Sequence, residues 1–275
     1  MEIYQGIILG IVQGLTEFLP VSSSGHLVLG QIYFNITEFA LLFDVSVHMG
    51  TLAAVVVVYF SDILLICKSI FRFFAKILAG EPFAPLFRAD ENLKFAALII
   101  IGSVPTALIG FVLKNFEHVL FTSDTLVGCM LILTGIILWF SRHYYHNEKA
   151  RTVFDIKRAV FIGIIQGLAV IPGISRSGST IAAGMVAGLD RHTAAKFSFL
   201  LSVPAILGAQ VLSFKDAFKT GLIIDPATIY GTIVSFAVGL IALKLLLKLV
   251  HGGKFHLFAP YCWLVGILVL ISKII

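Results

Sequence analysis

Long apolar runs separated by short polar loops make up most of the chain, and two of those runs are broken by polar residues in their middle. Residues 2–19 form an apolar helical run. Pro20 and three serines interrupt it, and a second run at roughly 23–33 is too short to cross a hydrocarbon core, which takes ~20 residues. The pair predicts a re-entrant helix–loop–helix, since irregular backbone at membrane depth is tolerated where protein or a water-filled cavity surrounds it. The alternative is an ordinary span at 2–19 with an untidy end. A span at 39–60 follows, carrying Asp44 and His48 at i,i+4 and so on one face. Residues 61–91 hold a Phe-rich basic segment and a Pro-rich turn, which reads as an amphipathic interfacial helix and a loop. Spans at 93–113 and 119–141 lead to a polar loop at 142–158. The short-helix, break, short-helix pattern then returns at 159–188 around Pro172-Gly173, followed by spans at 193–213, 227–250 and 255–275.

The second broken pair repeats the first. Gly163 to Gly178 matches Gly10 to Gly25 at 8 of 16 positions with a constant offset of 153 residues, and Arg176 falls opposite Ser23. Phe43, Ser46, Val47 and Ala53 align with Phe199, Ser202, Val203 and Ala209 at an offset of 156. The halves, 1–145 and 153–275, are each one re-entrant helix pair plus three transmembrane helices. An odd number of crossings brings the second half in from the opposite face. The expected fold is therefore an all-α polytopic membrane protein with an inverted-topology repeat, its two breaks meeting near midplane.

Composition sharpens this picture. With 59% hydrophobic and 13% charged residues over 275 positions and a mean hydropathy of +1.01, the chain exceeds what a soluble domain can bury. The net charge of +5 comes from basic residues in short loops rather than one patch, so no nucleic acid is expected as a partner. On this topology fifteen Lys and Arg, from Lys68 to Lys254, share one side, against Lys114, Lys215, Lys219 and Lys273 on the other. The basic side is normally cytoplasmic, which puts both termini outside and opens the first broken pair outward. Cys67, Cys129 and Cys262 lack metal-site or disulfide spacing and read as core residues. No basic segment followed by a cleavage site begins the chain, so Met1 onward reads as mature protein.

The first break, Gln13 to His26, concentrates the chemistry. Ionisable residues at membrane depth are costly and mark function. Ser22, Ser23, Ser24 and Gly25 precede a helical run, where a capping serine and free N–H groups suit an anion. Arg176, flanked by Ser175, Ser177 and Gly178 in the matching break, can clamp a phosphate bidentately or pair with Glu17 to lock the halves. Ser23 and His26 are three residues apart, the spacing of a nucleophile and its base, with Glu17 able to orient the imidazole. The alternative is that His26 and the serines only cap the helix. Gln13 and Glu17 share a face, and one carboxylate with an amide suits Mg2+ or Ca2+ only if substrate phosphate completes the shell.

The segments at Gln13–His26, Pro172–Ser179 and Phe197–Ala209 resemble the bacterial undecaprenyl-diphosphatase (bacitracin-resistance) family over essentially the whole chain. The resemblance implies an integral-membrane phosphatase that hydrolyses undecaprenyl diphosphate to undecaprenyl phosphate and inorganic phosphate, recycling the lipid carrier of cell-wall synthesis. By position it makes Glu17 the essential acid, Ser23 the nucleophile, His26 the catalytic histidine and Arg176 the diphosphate-binding arginine. It also implies Mg2+ or Ca2+ dependence and a site facing the outer side of the cytoplasmic membrane. Gln13 departs from members with glutamate there, which weakens any account needing two carboxylates for the metal. A homodimer is left open. The competing class is an inverted-repeat transporter or a flippase of a polyprenyl phosphate, which would use the same helix ends without chemistry.

Overall fold

The computed structural model describes residues 1–36, 41–116, 120, 123–144, 154–219 and 225–272. All regular structure among them is helical. Helices α1 (Ile3–Phe18) and α2 (Ser23–Tyr33) flank the first break, and α8 (Ile156–Leu168) and α9 (Arg176–Val186) flank the second. Between the two pairs lie α3 (Leu41–Val58), α4 (Phe60–Leu78), α5 (Phe83–Ala89), α6 (Glu91–Lys114) and α7 (Asp124–Ser141). After them come α10 (Arg191–Lys219), α11 (Pro226–His251) and α12 (Ala259–Ile271).

Four of these helices, α6, α7, α10 and α11, are long and apolar enough to cross a membrane unaided. The other two expected spans are shorter. Helix α3 ends in a 77° bend into α4, and α12 is preceded by a 3-10 turn at Phe255–Phe258. Residues 39 and 40 of the first expected span, 119, 121 and 122 of the third, and 273–275 of the last lie outside the described residues. Helix α4 has the two-sided character expected of an interfacial helix, with Phe71, Phe74 and Leu78 exposed.

Packing is reciprocal. Helix α1 lies along α11, and α8 lies along α6, so each broken pair rests on a long helix from the other part of the chain. Small residues permit it, as in membrane bundles generally, where close backbone approach replaces hydrophobic driving force. A Cβ added at Gly14 would stand 2.8 Å from the Ser235 carbonyl oxygen, and one at Gly10 or Gly163 would run into the backbone carbonyl of Gly231 or Gly102. Helices α3 and α11 are pinned by Ser235 Oγ, which donates to the Val47 carbonyl at 2.9 Å. On the loop side, Lys196 pairs with Asp62 and sits 5.3 Å from the Phe95 ring, tying α10 to α4 and α6.

A tight backbone approach of this kind predicts a sharp contrast. Gly163→Ala is expected to cost ~1–3 kcal/mol through overpacking and to lower the thermal midpoint, whereas Gly110→Ala, where an added Cβ meets open space, leaves it unchanged. Thermal unfolding of the two detergent-solubilised variants checks this.

The cysteines depart from expectation. Only Cys262 is buried, while Cys67 and Cys129 are exposed. A small apolar thiol is at no disadvantage on a face that meets lipid rather than water, so burial in protein was not needed to explain them.

Candidate active site

Helix α1 ends two residues before Pro20, and the chain turns through Ser22, which holds φ at +69°. That left-handed backbone is strained for a residue with a side chain, and the surroundings hold it in place. Ser22 Oγ caps α2 by accepting from the Gly25 N–H at 3.4 Å and accepts the Gly173 N–H of the second break at 3.1 Å. Gly173 has φ +93°, and a Cβ there would press on the Val127 carbonyl and the Met130 side chain.

The second break is satisfied in the same manner. Ser175 Oγ caps α9 by accepting from Gly178 N–H at 3.0 Å. Thr134 Oγ1 on α7 donates to the Gly173 carbonyl at 2.9 Å and accepts from Ser175 N–H at 3.1 Å. Ser177 Oγ donates across to the Phe18 carbonyl at 2.9 Å, and Cys262 Sγ–H points to the Pro20 carbonyl at 3.4 Å. Hydroxyls thus replace the backbone partners that a broken helix loses inside a membrane. Ser22, Gly25, Ser175, Ser177 and Gly178 are all buried and hold the two breaks together, while Ser23, Ser24 and His26 remain half-buried at the opening.

Glu17 stands at the meeting point. Its carboxylate is nearly enclosed, with side-chain exposure of 6%. Oε1 accepts from Arg176 Nη2 at 2.5 Å. Oε2 accepts from the Ser23 hydroxyl at 2.7 Å and from Gln13 Nε2 at 3.0 Å. His48 Nε2 lies 3.7 Å from the same oxygen. One carboxylate therefore gathers an amide, a hydroxyl, a guanidinium and an imidazole from α1, α2, α9 and α3. Two polar atoms beside it are buried without a partner: Arg176 Nη1 and Gln13 Oε1. A guanidinium with one arm on a carboxylate and the other free is arranged to meet a second anion.

One expected contact is replaced. The spacing of Ser23 and His26 suggested a hydroxyl–imidazole hydrogen bond, but the Ser23 hydroxyl donates to Glu17 Oε2 instead. The imidazole turns elsewhere: Nδ1 is 2.8 Å from the Ser22 carbonyl and Nε2 is 2.8 Å from Tyr261 Oη. The carboxylate at the end of α1 is the stronger acceptor for the hydroxyl, and the Ser22 carbonyl, one turn back on the same helix, captures the ring. Asp44 and His48 keep a backbone contact but turn their side chains to different partners. Asp44 accepts from Gln31 Nε2 at 2.7 Å, while His48 Nδ1 binds the Asp44 carbonyl at 2.7 Å and aims Nε2 at Glu17.

Tyr261 and Thr134 were not anticipated from sequence, and Cys262 was expected only as a core residue. Each is an isolated polar atom in an apolar span with no neighbour in the motif, so only the fold brings it to the break.

These features define a class: a multi-pass membrane protein in which two broken helices enclose a carboxylate, a hydroxyl and a half-engaged guanidinium, the equipment for an anionic headgroup. The chain belongs to the family described as bacitracin resistance protein BacA, which it matches over residues 6–268. It is 54% identical over 272 residues to an undecaprenyl-diphosphatase of Desulforapulum autotrophicum, covering 99% of each chain. It is also 54% identical over 267 residues to one of Desulfosudis oleivorans, 97% of each, and 46% identical over 270 residues to one of Desulfatibacillum aliphaticivorans, 98% of each.

Proposed function

We propose that this chain hydrolyses undecaprenyl diphosphate to undecaprenyl phosphate and inorganic phosphate. The observation that carries the reading is the Glu17 cluster, in which Ser23 and Arg176 bind opposite oxygens of one enclosed carboxylate and the second guanidinium arm is left without a partner. The relatives named above are diphosphatases rather than carriers, which favours hydrolysis over flipping.

In the proposed reaction the diphosphate enters the break and takes the free arm of Arg176. Ser23 Oγ attacks the terminal phosphorus as its proton passes to Glu17 Oε2, and the bridging P–O bond breaks to release prenyl phosphate. A water molecule then attacks the phosphoserine, giving its proton to His26. The P–Oγ bond breaks, Glu17 returns its proton to Ser23, inorganic phosphate leaves, and His26 gives its proton to bulk water. Arg176 and the N–H groups at the start of α2 neutralise charge on the transferring phosphoryl group. Ser24 lines its approach, and Gly25 packs behind it against Val127 and Gly173.

A divalent cation, Mg2+ or Ca2+, fits this donor set only in company with the substrate. Among the described residues no three His, Cys, Asp or Glu side chains are grouped to hold a metal. Gln13 Oε1, buried and unpartnered, and Glu17 are the oxygens that would hold it together with the diphosphate. Bound there, it would offset phosphate charge.

The loop charges support an orientation with both termini outside the cytoplasmic membrane and the site reached from the outer face. The matching offsets and the reciprocal packing of α1 on α11 and α8 on α6 support an inverted repeat, 1–145 and 153–275.

Phosphate release from a prenyl diphosphate by purified protein tests the reading. Wild type is expected to turn over and His26→Ala to lose roughly 10²–10⁴-fold, the usual weight of a general base. Lipid movement across vesicles without phosphate release would overturn it in favour of transport.

A further inference from the structure

We propose that Tyr261, on the last helix, is the positioning residue for His26; this rests on the catalytic role of His26 proposed above. The two side chains are 235 residues apart in sequence, yet Tyr261 Oη lies 2.8 Å from His26 Nε2. Their rings are nearly parallel, 12° apart in plane with centroids 5.8 Å apart.

The chemistry of the partners fixes the protons. A backbone carbonyl can only accept, so the contact between His26 Nδ1 and the Ser22 oxygen at 2.8 Å puts the proton of the neutral ring on Nδ1. The lone pair is then on Nε2, and the Tyr261 hydroxyl donates into it. Each nitrogen has one partner of the right kind, which is how a working imidazole is held in one tautomer and one plane.

Tyr261 is itself well anchored. The neighbouring Cys262 is fully buried and reaches the Pro20 carbonyl in the first break. Helix α12 also seats Gly266 and Trp263 against Gly128 and Gly135 of α7, where an added Cβ would crowd the facing helix. The phenol is nonetheless 43% exposed, so it stands at the lip of the site rather than in the core. It holds the Nε2 lone pair aligned while the break is open and yields it when a ligand or water takes the hydroxyl's place. A purely packing role would need the ring but not its oxygen.

Tyr261→Phe separates the two roles, because it keeps the ring and removes the hydroxyl. We expect kcat to fall about tenfold, the weight of one oriented hydrogen bond, with KM within about twofold and the thermal midpoint unchanged. In a double-mutant cycle the same substitution should have no further effect on the residual rate of His26→Ala, since a residue acting through His26 has nothing left to position. An unchanged kcat in Tyr261→Phe, or a loss that persists undiminished in the His26→Ala background, overturns the inference. If His26→Ala alone retains full turnover, the catalytic reading of His26 itself fails, a result distinct from either.

Discussion

Ser23→Ala is expected to lower kcat for prenyl diphosphate hydrolysis by at least about a thousandfold, the scale of losing a nucleophile from a group of residues that act together. The fold should survive. Ser23 is half-buried, and its hydroxyl is one of several donors to Glu17, with Gln13 Nε2 still bound to the same oxygen at 3.0 Å. A stability loss of only about 1 kcal/mol is therefore expected from the missing hydrogen bond. Phosphate release and a thermal melt on one preparation give both values, and acid-quenched wild type should carry labelled phosphate on Ser23. A Ser23→Ala protein that kept a tenth of its turnover would remove the hydroxyl from the bond-making step and leave direct attack by water.

The second large effect concerns Arg176. Truncation to alanine leaves the Glu17 carboxylate buried without its strongest partner, and breaking such a pair costs ~3–5 kcal/mol. Arg176→Ala is expected to fold poorly, which by itself cannot tell a lock between the helices from a clamp on the substrate. Two further variants can. Arg176→Lys keeps the charge but loses the planar fork, so stability should be largely retained while turnover falls roughly 100-fold, the scale of losing one donor to the transition state. Arg176→Gln combined with Glu17→Gln replaces the ion pair by two neutral amides and should restore the melt but not the activity. Near-normal turnover in either protein would reduce Arg176 to a structural tie.

Much of this site was legible in the sequence because its residues violate the apolar pattern around them. Glu17, the serines and Arg176 are costly at membrane depth, and the 153-residue offset sets Arg176 opposite Ser23 in the sequence itself. Their convergence on one carboxylate follows from that placement. What spacing could not supply was the choice among acceptors. Three residues along a helix put Ser23 and His26 near each other, but hydrogen bonding is decided by the nearest strong acceptor, and the end of α1 delivers Glu17 to the hydroxyl first. Long-range partners were invisible for a related reason. Tyr261 lies in an apolar stretch of α12 with no motif around it, and although periodicity set Asp44 and His48 on one face near the motif, only the fold decides that His48 reaches Glu17 while Asp44 binds Gln31. The cysteines show the limit from the other side, since in a lipid-facing bundle low polarity does not mean burial in protein.

The hydrogen bond from Ser177 Oγ to the Phe18 carbonyl spans 159 residues, and this bears on how the protein is made. At translation rates of ~5–20 residues per second, roughly 8–30 s separate the arrival of the two partners. Until then the nascent first hairpin carries a Phe18 carbonyl without its Ser177 partner, a peptide group that hydrocarbon cannot solvate. The newborn chain must wait beside the insertion machinery, or in a hydrated pocket of it, for its own later half to complete it.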